Sequence, residues 1–428
     1  MSMTGRRRLT SPRPYKLLTS TAAVGALLVT GCGALPGASG DSREPLTVVT
    51  WAPGGATEPD TANMAGMTAM ARTYARWANN SGGLDGHKLR VVACDEQDTS
   101  LGAANCARLA VKEQAVAVVG SYSRHGSSFM APLETAQIPY IGGYGASDEE
   151  FSSYVSYPVN GGQPALLAGN AQQLARSCER VSVVRPDTLA GDDQAWLLKT
   201  GLTEARRPEP ADIRAAESAT SYDKAAERAL QAAGTSGGCV TSVLGESTET
   251  FFDSFRRLEP SYGSVGISSV LGSVGQPLID STGGRNSPFE GAYLTGWYPE
   301  SGDARWDLMR EVIRKHAFGD NRIDPDDTGV QTTWIAYTVL NELVKSIDAP
   351  KITAWKLTSA LNHGTPVDTG GLTPVLRWRF TDMLGSSAYP RVVNTRVTFQ
   401  VVRGGRLVAD KKGFVDVTKT LSDASAKG

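Results

Sequence analysis

Apolar and polar positions change period repeatedly from residue 46 onward, and two periods alternate. Residues 46–51 are an apolar, β-branched run of strand length. The following stretch to Asn79 repeats its apolar residues at helical spacing, with Met64, Met67, Ala71, Tyr74 and Trp77 on one face and Asp60 as the expected cap. That Met and aromatic stripe is the packing face of a helix on a sheet, not a cofactor box. Gly82 and Gly83 stop the helix. Strands are expected at 88–93, 115–120 and 139–142, with helices at 100–113 and 126–136 between them. Such a βαβαβαβ series requires right-handed crossovers and a parallel sheet covered on both faces.

A second series starts after Pro158. Helices are expected at 164–177, 190–204, 222–233 and 249–258, with strands at 180–184, near Ile213, at 239–244 and at 265–271. A strand at 291–297, helices at 305–318, 328–347 and 352–362, and strands at 375–381 and 397–408 follow. Two consecutive α/β units of similar make-up predict an α/β fold of two Rossmann-like lobes with parallel sheets. In open parallel sheets, ligands collect at the carboxyl ends of strands. Here those ends carry Trp51, the run Cys94-Asp95-Glu96, the loop Ser121-Tyr122-Ser123-Arg124-His125, and the loop from Gly142 to Ser147. In the third of these a strand runs into Gly and Ser residues and then a helix start. Backbone N–H groups and hydroxyls converge there, as an anion site for a carboxylate requires. Without a ligand, the same loop is simply a capped helix.

The N-terminus changes the picture. The first 31 residues carry Arg6, Arg7, Arg8, Arg13 and Lys16 and no acid. An apolar stretch over 17–29, too short to span a bilayer comfortably, ends at Gly31-Cys32 in a form that resembles a bacterial lipobox. Residues 1–31 are therefore expected to be a lipoprotein signal peptide, Cys32 the lipidated first residue of the exported protein, and 32–44 a flexible tether. The competing reading is an ordinary signal peptide with a chance cysteine. The whole chain has 43 basic and 44 acidic residues; without the first 31 residues, 38 basic face 44 acidic. A mildly acidic body disfavours phosphate backbones, so no nucleic-acid partner is expected. Beyond Cys32, the four cysteines Cys94, Cys106, Cys178 and Cys239 are an even set outside the cytoplasm. Local pairing, Cys94 with Cys106 and Cys178 with Cys239, is the simplest arrangement. The rival, a zinc site, needs CxxC or CxxH spacing, which the sequence lacks.

Several segments follow one another in a particular order: the glycine-rich hairpin Asn80-Ser81-Gly82-Gly83-Leu84-Asp85-Gly86-His87-Lys88, the strand and loop 89–98, the helix ending Ala107-Arg108-Leu109-Ala110, and the strand 116–120. Ala131-Pro132, Pro139-Tyr140-Ile141, the run 145–151 and the late segment 370–380 complete the series. In this order and spacing, over most of residues 46–415, they resemble the leucine/isoleucine/valine-binding protein family of ABC-importer binding proteins. The resemblance is strong in the first half of the body and thin between 160 and 290. It implies a type I periplasmic-binding fold, with a three-strand hinge and a cleft that closes on ligand. Lobe 1 would then cover 45–158 plus 290–365, and lobe 2 would cover 159–289 plus 366–420.

The resemblance also implies site residues. The family's carboxylate-holding serine loop falls on Ser121, Tyr122, Ser123 and Arg124, with Arg124 standing where the family has Ser. Its small-Thr pair falls on Ala146 and Ser147, after Gly145. The acid that meets the ligand ammonium falls near Glu246, or on Glu249 with a shifted loop. The aromatic of the first lobe 2 loop is absent from 187–191. Arg124 and His125 point to a more acidic ligand, with Trp51, Tyr122 and Tyr144 as a stacking wall; the alternatives are a solvent-facing Arg124 and a packing Tyr144. On this reading Ser147→Ala loses a ligand hydrogen bond.

The function implied is reversible capture of an amino acid or related carboxylate. The protein would be a monomer, lipid-anchored on the outer face of the cytoplasmic membrane, serving ABC permease subunits. A lipoprotein of the same fold that presents ligand to a membrane receptor is the alternative. Catalysis is not expected: no G-x-S-x-G elbow occurs, and the nearest run, Gly245 to Glu249, lacks the second Gly. His87, His125, His316 and His363 show no metal-ligand spacing, and neither Asp192-Asp193 nor the run Asp324 to Asp327 fits an EF-hand. Neither a metal nor a cofactor is expected.

Overall fold

The central strand of the first lobe, β1 (Leu46–Ala52), is buried along almost its whole length, as a parallel strand covered on both faces must be. The computed structural model describes residues 43–54, 64–234, 236–258 and 265–426. The expected signal peptide, Cys32, most of the tether and Asp60 lie outside the described residues. After β1 come α1 (Ala65–Asn80), β2 (Leu89–Asp95), α2 (Ser100–Lys112), β3 (Ala117–Val119), α3 (Gly126–Ala136), β4 (Tyr140–Ile141), α4 (Glu149–Ser152) and β5 (Ser156–Tyr157). The strands form a parallel sheet in the order β2-β1-β3-β4-β5. The expected stripe of α1 packs as a core face: Tyr74 meets Trp334 and Tyr337 with ring centroids 5.1 and 5.2 Å apart.

The second lobe begins with α5 (Gly162–Ser177), β6 (Arg180–Pro186), α6 (Leu189–Glu204), β7 (Ala211–Ala215), α7 (Asp223–Ala233), β8 (Gly238–Ser242), α8 (Thr248–Arg256), β9 (Gly266–Val270), α9 (Gln276–Ser281) and β10 (Tyr293–Gly296). The chain then returns to the first lobe for α10 (Asp307–His316), α11 (Thr328–Ile347) and α12 (Ala354–Asn362), and finishes with β11 (Arg396–Arg403), β12 (Arg406–Asp416) and α13 (Thr418–Ser425). The second sheet has the order β12-β11-β10-β9-β8-β6-β7, with β11 antiparallel to both neighbours. Thr99, Thr188 and Asp327 cap α2, α6 and α11 by accepting backbone N–H groups of the first turn. Disulfides join Cys94 to Cys106 and Cys178 to Cys239, the local pairing read from the sequence. Among the described residues no helix is long and apolar enough to cross a membrane.

Three expectations change. Residues 375–381 are not a strand: Leu376 makes one bridge to Val367, and a 3-10 turn follows at Phe380–Asp382. Leu376 and Trp378 point inward while Val375, Arg377 and Arg379 are exposed, so the alternation is strand-like but the segment runs as a strap with no ladder beside it. The single strand at 397–408 is a hairpin, because Gly404 and Gly405 take φ of 61° and 76° and turn the chain between β11 and β12. β10 pairs with β9, so the chain leaves the second sheet after Gly296, not at residue 290. The strap past residue 365 also lies on the first lobe: Trp378 Nε1 donates to the Pro158 carbonyl at 3.0 Å and Arg391 Nε to that of Ser156 at 2.9 Å.

The three crossovers between lobes are tied to one another. Asn160 donates to the Tyr298 hydroxyl at 3.0 Å, and Asn394 to the Val159 carbonyl at 3.0 Å. Thr398 and Gln400 both donate to the Tyr298 carbonyl, at 2.7 and 3.0 Å. Buried polar groups satisfied in this way fix the strands relative to one another at the pivot.

Candidate functional site

Six strand ends converge on one cleft. Tyr122 follows β3, Tyr144 to Ala146 follow β4, Pro186 ends β6, Leu244 to Ser247 follow β8, Gly272 and Ser273 follow β9, and Trp297 follows β10. Together with Met64 on the α1 side and Gln163 and Gln194 on α5 and α6, they surround a cavity of about 600 Å³, a size suited to a small organic ligand. A side chamber of about 360 Å³ continues from it, sharing Met64, Tyr144, Glu246, Gly272 and Ser273 and reaching Arg322 and the acids Asp324, Asp326 and Asp327.

One wall is aromatic. Tyr122 and Tyr144 meet at 5.3 Å and 63°, and Tyr144 and Trp297 meet edge-on at 5.2 Å and 88°. Burial pushes the Tyr122 and Tyr144 phenols above the usual tyrosine range, so both stay neutral. The Tyr144 hydroxyl pairs with that of Thr328 at 3.2 Å, and Trp297 Nε1 donates to the Gly162 carbonyl at 2.8 Å. Trp51 belongs to a different surface. It is fully buried against Phe129 and Tyr140, with ring centroids 5.4 and 5.8 Å away, and is a core residue, not part of the expected stacking wall.

The serines expected to hold a ligand are engaged within the protein. Ser121 Oγ accepts the Trp51 N–H at 3.0 Å, and the Ser123 hydroxyl donates to Glu96 Oε2 at 3.1 Å; both serines are fully buried. The loop Gly145-Ala146-Ser147 does form a nest of converging donors, and Glu150 fills it. Gly145 N–H donates to Glu150 Oε2 at 3.0 Å, while the N–H groups of Ala146 and Ser147 and the Ser147 hydroxyl reach Oε1 at 2.9, 3.2 and 3.3 Å. Glu150 is 1% exposed. Desolvation pushes its carboxyl up to about 7, against the downward pull of those donors. A ligand carboxylate would find these donors already taken.

Arg124 reaches the cleft wall, and its guanidinium lies on Asp98. Nε donates to Oδ1 at 3.3 Å and Nη2 donates to Oδ2. That hydrogen bond raises the guanidinium pKa further, so the group is charged and paired. His125 Nε2 also sits 3.8 Å from Asp98. Glu246 lines both chambers, and Glu217 lines the main one. Of the expected ligand residues, the structure brings together Tyr122, Arg124, Tyr144, Gly145, Ala146 and Glu246 in the cleft. Trp51, Ser121, Ser123 and Ser147 are buried.

Sequence reasoning missed Glu150, Glu217 and Trp297, and weighed the acidic run Asp324 to Asp327 only as a metal loop. Ser147 and Glu150 have the S-x-x-E spacing of a capping box, in which the acid reaches back to the serine N–H. Trp297 ends a segment read as a strand, where the strand-end rule applies. Glu217 carried no signal, because its loop is placed only by the packing of β7 and α7.

A family model described as periplasmic binding protein matches residues 54–389. No curated protein sequence matches the chain. Among solved structures, a substrate-binding periplasmic protein from Ralstonia solanacearum is 17% identical with a TM-score of 0.68, over 86% of this chain and 100% of that one. A branched chain amino acid ABC transporter protein from Thermus thermophilus with bound valine is 15% identical, TM-score 0.68, over 90% and 99%. A solute-binding protein of an ABC transporter from R. palustris, in complex with 4-hydroxybenzoate, is 14% identical, TM-score 0.69, over 87% and 97%. At these identities the likeness is one of fold.

Proposed function

This chain belongs to the periplasmic binding protein family, of the leucine/isoleucine/valine-binding type, and on that premise we propose that it is an exported lipoprotein that captures a small amine-bearing solute for ABC permease subunits. The observation that carries this reading is the interlobe cleft of about 600 Å³, lined by the aromatic residues Tyr122, Tyr144 and Trp297 and by the acids Glu217 and Glu246. Proteins of the same fold hold valine and 4-hydroxybenzoate, so the fold accommodates both amino acids and aromatic acids. The ligand ammonium meets Glu246, the apolar part lies on the aromatic wall, and the lobes close about the tied crossovers. Closure is favoured only by the ligand's differential affinity for the closed form. No bond is made or broken.

The location follows from the family, which works outside the cytoplasm, and the two disulfides suit an oxidising compartment. The lipid anchor rests on the basic, apolar, Gly31-Cys32 sequence alone. A thermal-shift screen of residues 33–428 against amino acids, amines, aromatic acids and sugars tests capture. Ligand at a hundred times its Kd adds about 2.7 kcal/mol; a protein whose melting no compound raises is not a solute receptor of this kind. For the anchor, Cys32→Ser should release the protein from the membrane fraction, and an unchanged distribution would remove Cys32 from that role.

A further inference from the structure

Resting on the reading of the cleft as the ligand site, we propose that Gln194 sets its specificity: the captured solute carries in its tail an N–H or O–H group that donates to the Gln194 side-chain carbonyl. The observation is a buried amide left without a partner. Gln194 lines the cleft and is 9% exposed. Its side-chain oxygen is shielded from solvent and meets no donor among the described residues. Of the buried side-chain oxygens and nitrogens in that condition among the described residues, it alone belongs to a residue of the cleft wall. Such a group has lost its water without gaining a replacement, and a ligand donor supplies one.

Amides buried deeper in the second lobe are satisfied at both ends. Asn170 donates to the Ser268 hydroxyl at 2.7 Å and accepts from Thr241 at 3.0 Å. Gln173 donates to the Gln400 carbonyl at 2.8 Å and accepts from Thr295 at 2.9 Å. Gln400, whose own side-chain oxygen also lacks a donor, is held by its nitrogen on the Tyr298 carbonyl at 3.0 Å and does not line the cleft. Polar groups on the cleft walls are committed too: Tyr144 pairs with Thr328, Trp297 donates to Gly162, and the Ser247 hydroxyl donates to the Glu217 carbonyl at 3.0 Å.

The backbone that carries Gln194 is firmly placed. It stands in the second turn of α6, whose first turn Thr188 caps. The helix is pressed onto the end of β6, so that a Cβ at Gly191 would lie 2.1 Å from the Pro186 carbonyl oxygen. Ala190, one turn earlier on the same face of α6, also lines the cleft, and its single methyl leaves Gln194 within reach of a ligand tail. Gln194 belongs to lobe 2, so a ligand seated on lobe 1 meets it only when the lobes are together, and the bond adds to the preference for the closed form. A site built to pair a ligand donor rejects the analogue that lacks it, because the protein group then stays buried and unpaired.

Calorimetry with matched amino acids tests this: threonine against valine, asparagine against leucine, and tyrosine against phenylalanine. Within each pair the charged groups are the same and only the tail donor differs. The expected result is that the tightest-binding pair favours its donor-bearing member by roughly tenfold or more. In Gln194→Met, which keeps the length of the side chain and removes the amide, that preference should shrink to within about twofold. Without ligand the variant should melt no lower than the natural protein, because an unpaired buried amide has been removed; this verifies that it folds. Apolar members that bind the natural protein as tightly as their partners overturn the role of Gln194 and leave capture in the cleft intact. A preference that survives in Gln194→Met also overturns it. A protein that binds no member of any pair overturns this inference and the proposed function together.

Discussion

Ser147 gives both its backbone N–H and its hydroxyl to the Glu150 carboxylate, at 3.2 and 3.3 Å. With the N–H groups of Gly145 and Ala146 on the same carboxylate, the turn after β4 is an anion nest closed by the protein's own side chain. A loop that from sequence alone looks like a ligand contact is therefore part of the lobe 1 framework. The effects of changing it should appear in stability before they appear in binding.

Ser147→Ala removes one hydroxyl donor from Glu150 and leaves the three N–H groups in place. We expect a loss of about 1 kcal/mol of stability and ligand affinity unchanged within about twofold. Urea unfolding and calorimetry on the same variant separate the two effects. A large affinity loss at unchanged stability would return the hydroxyl to the ligand site.

Glu150 should make stability depend on pH with a sign opposite to that of a salt-bridged acid. Desolvation pushes its folded carboxyl up to about 7 from an ordinary value of 4.5. The folded state therefore holds a proton that the unfolded chain has already released. For this group stability is greatest below the unfolded value and falls as pH rises through the window to about 7. The span corresponds to a change on the order of 3 kcal/mol. Glu150→Gln should flatten that slope. Unfolding curves of the two proteins at matched pH values check it, and parallel pH dependences would contradict it.

Arg124→Ser leaves Asp98 without its cation beside the cleft. Affinity for arginine as a probe should rise a few-fold, because one positive charge is removed from the cleft wall. Stability should change by less than about 1 kcal/mol, since the pair is partly exposed. A fall in arginine affinity would mean that Arg124 itself touches the ligand.

The two disulfides close chain segments of different length, a separation of 61 residues for Cys178–Cys239 and 12 for Cys94–Cys106. Loop-closure entropy assigns them about 4 and about 3 kcal/mol. Replacing Cys178 and Cys239 by Ala should therefore lower the urea midpoint more than replacing Cys94 and Cys106. The reverse order would show that strain or residual unfolded structure outweighs the entropy.

Most of the secondary structure was legible because its signals are local. The period of apolar positions marked α1, α3 and α11, and Thr99 and Thr188 cap helices from one position before their first turns. The Arg403-Gly404-Gly405-Arg406 hairpin signal was equally local but was read through as one strand. The strap at 375–381 could not be told from a strand, because alternation records which side chains are buried and not whether a neighbouring strand exists to pair with.

The sequence by itself determined the two α/β units and the loops at the strand ends, since each depends on residues close in the chain or on a fixed rule of parallel sheets; it offered the local cysteine pairing as the simplest arrangement, and the structure decided it. Only the tertiary structure decided what those loops do. Trp51 turned to the core because Phe129 and Tyr140 arrive on its side of the sheet from 78 and 89 residues away. Arg124 is spent because a separate loop brings Asp98 beneath it. Glu217, Glu246 and Asp327 share one cavity system because three segments from both lobes meet there. The charge and the vacant donors of a cleft are sums over groups distant in sequence, so they exist only once the chain has folded.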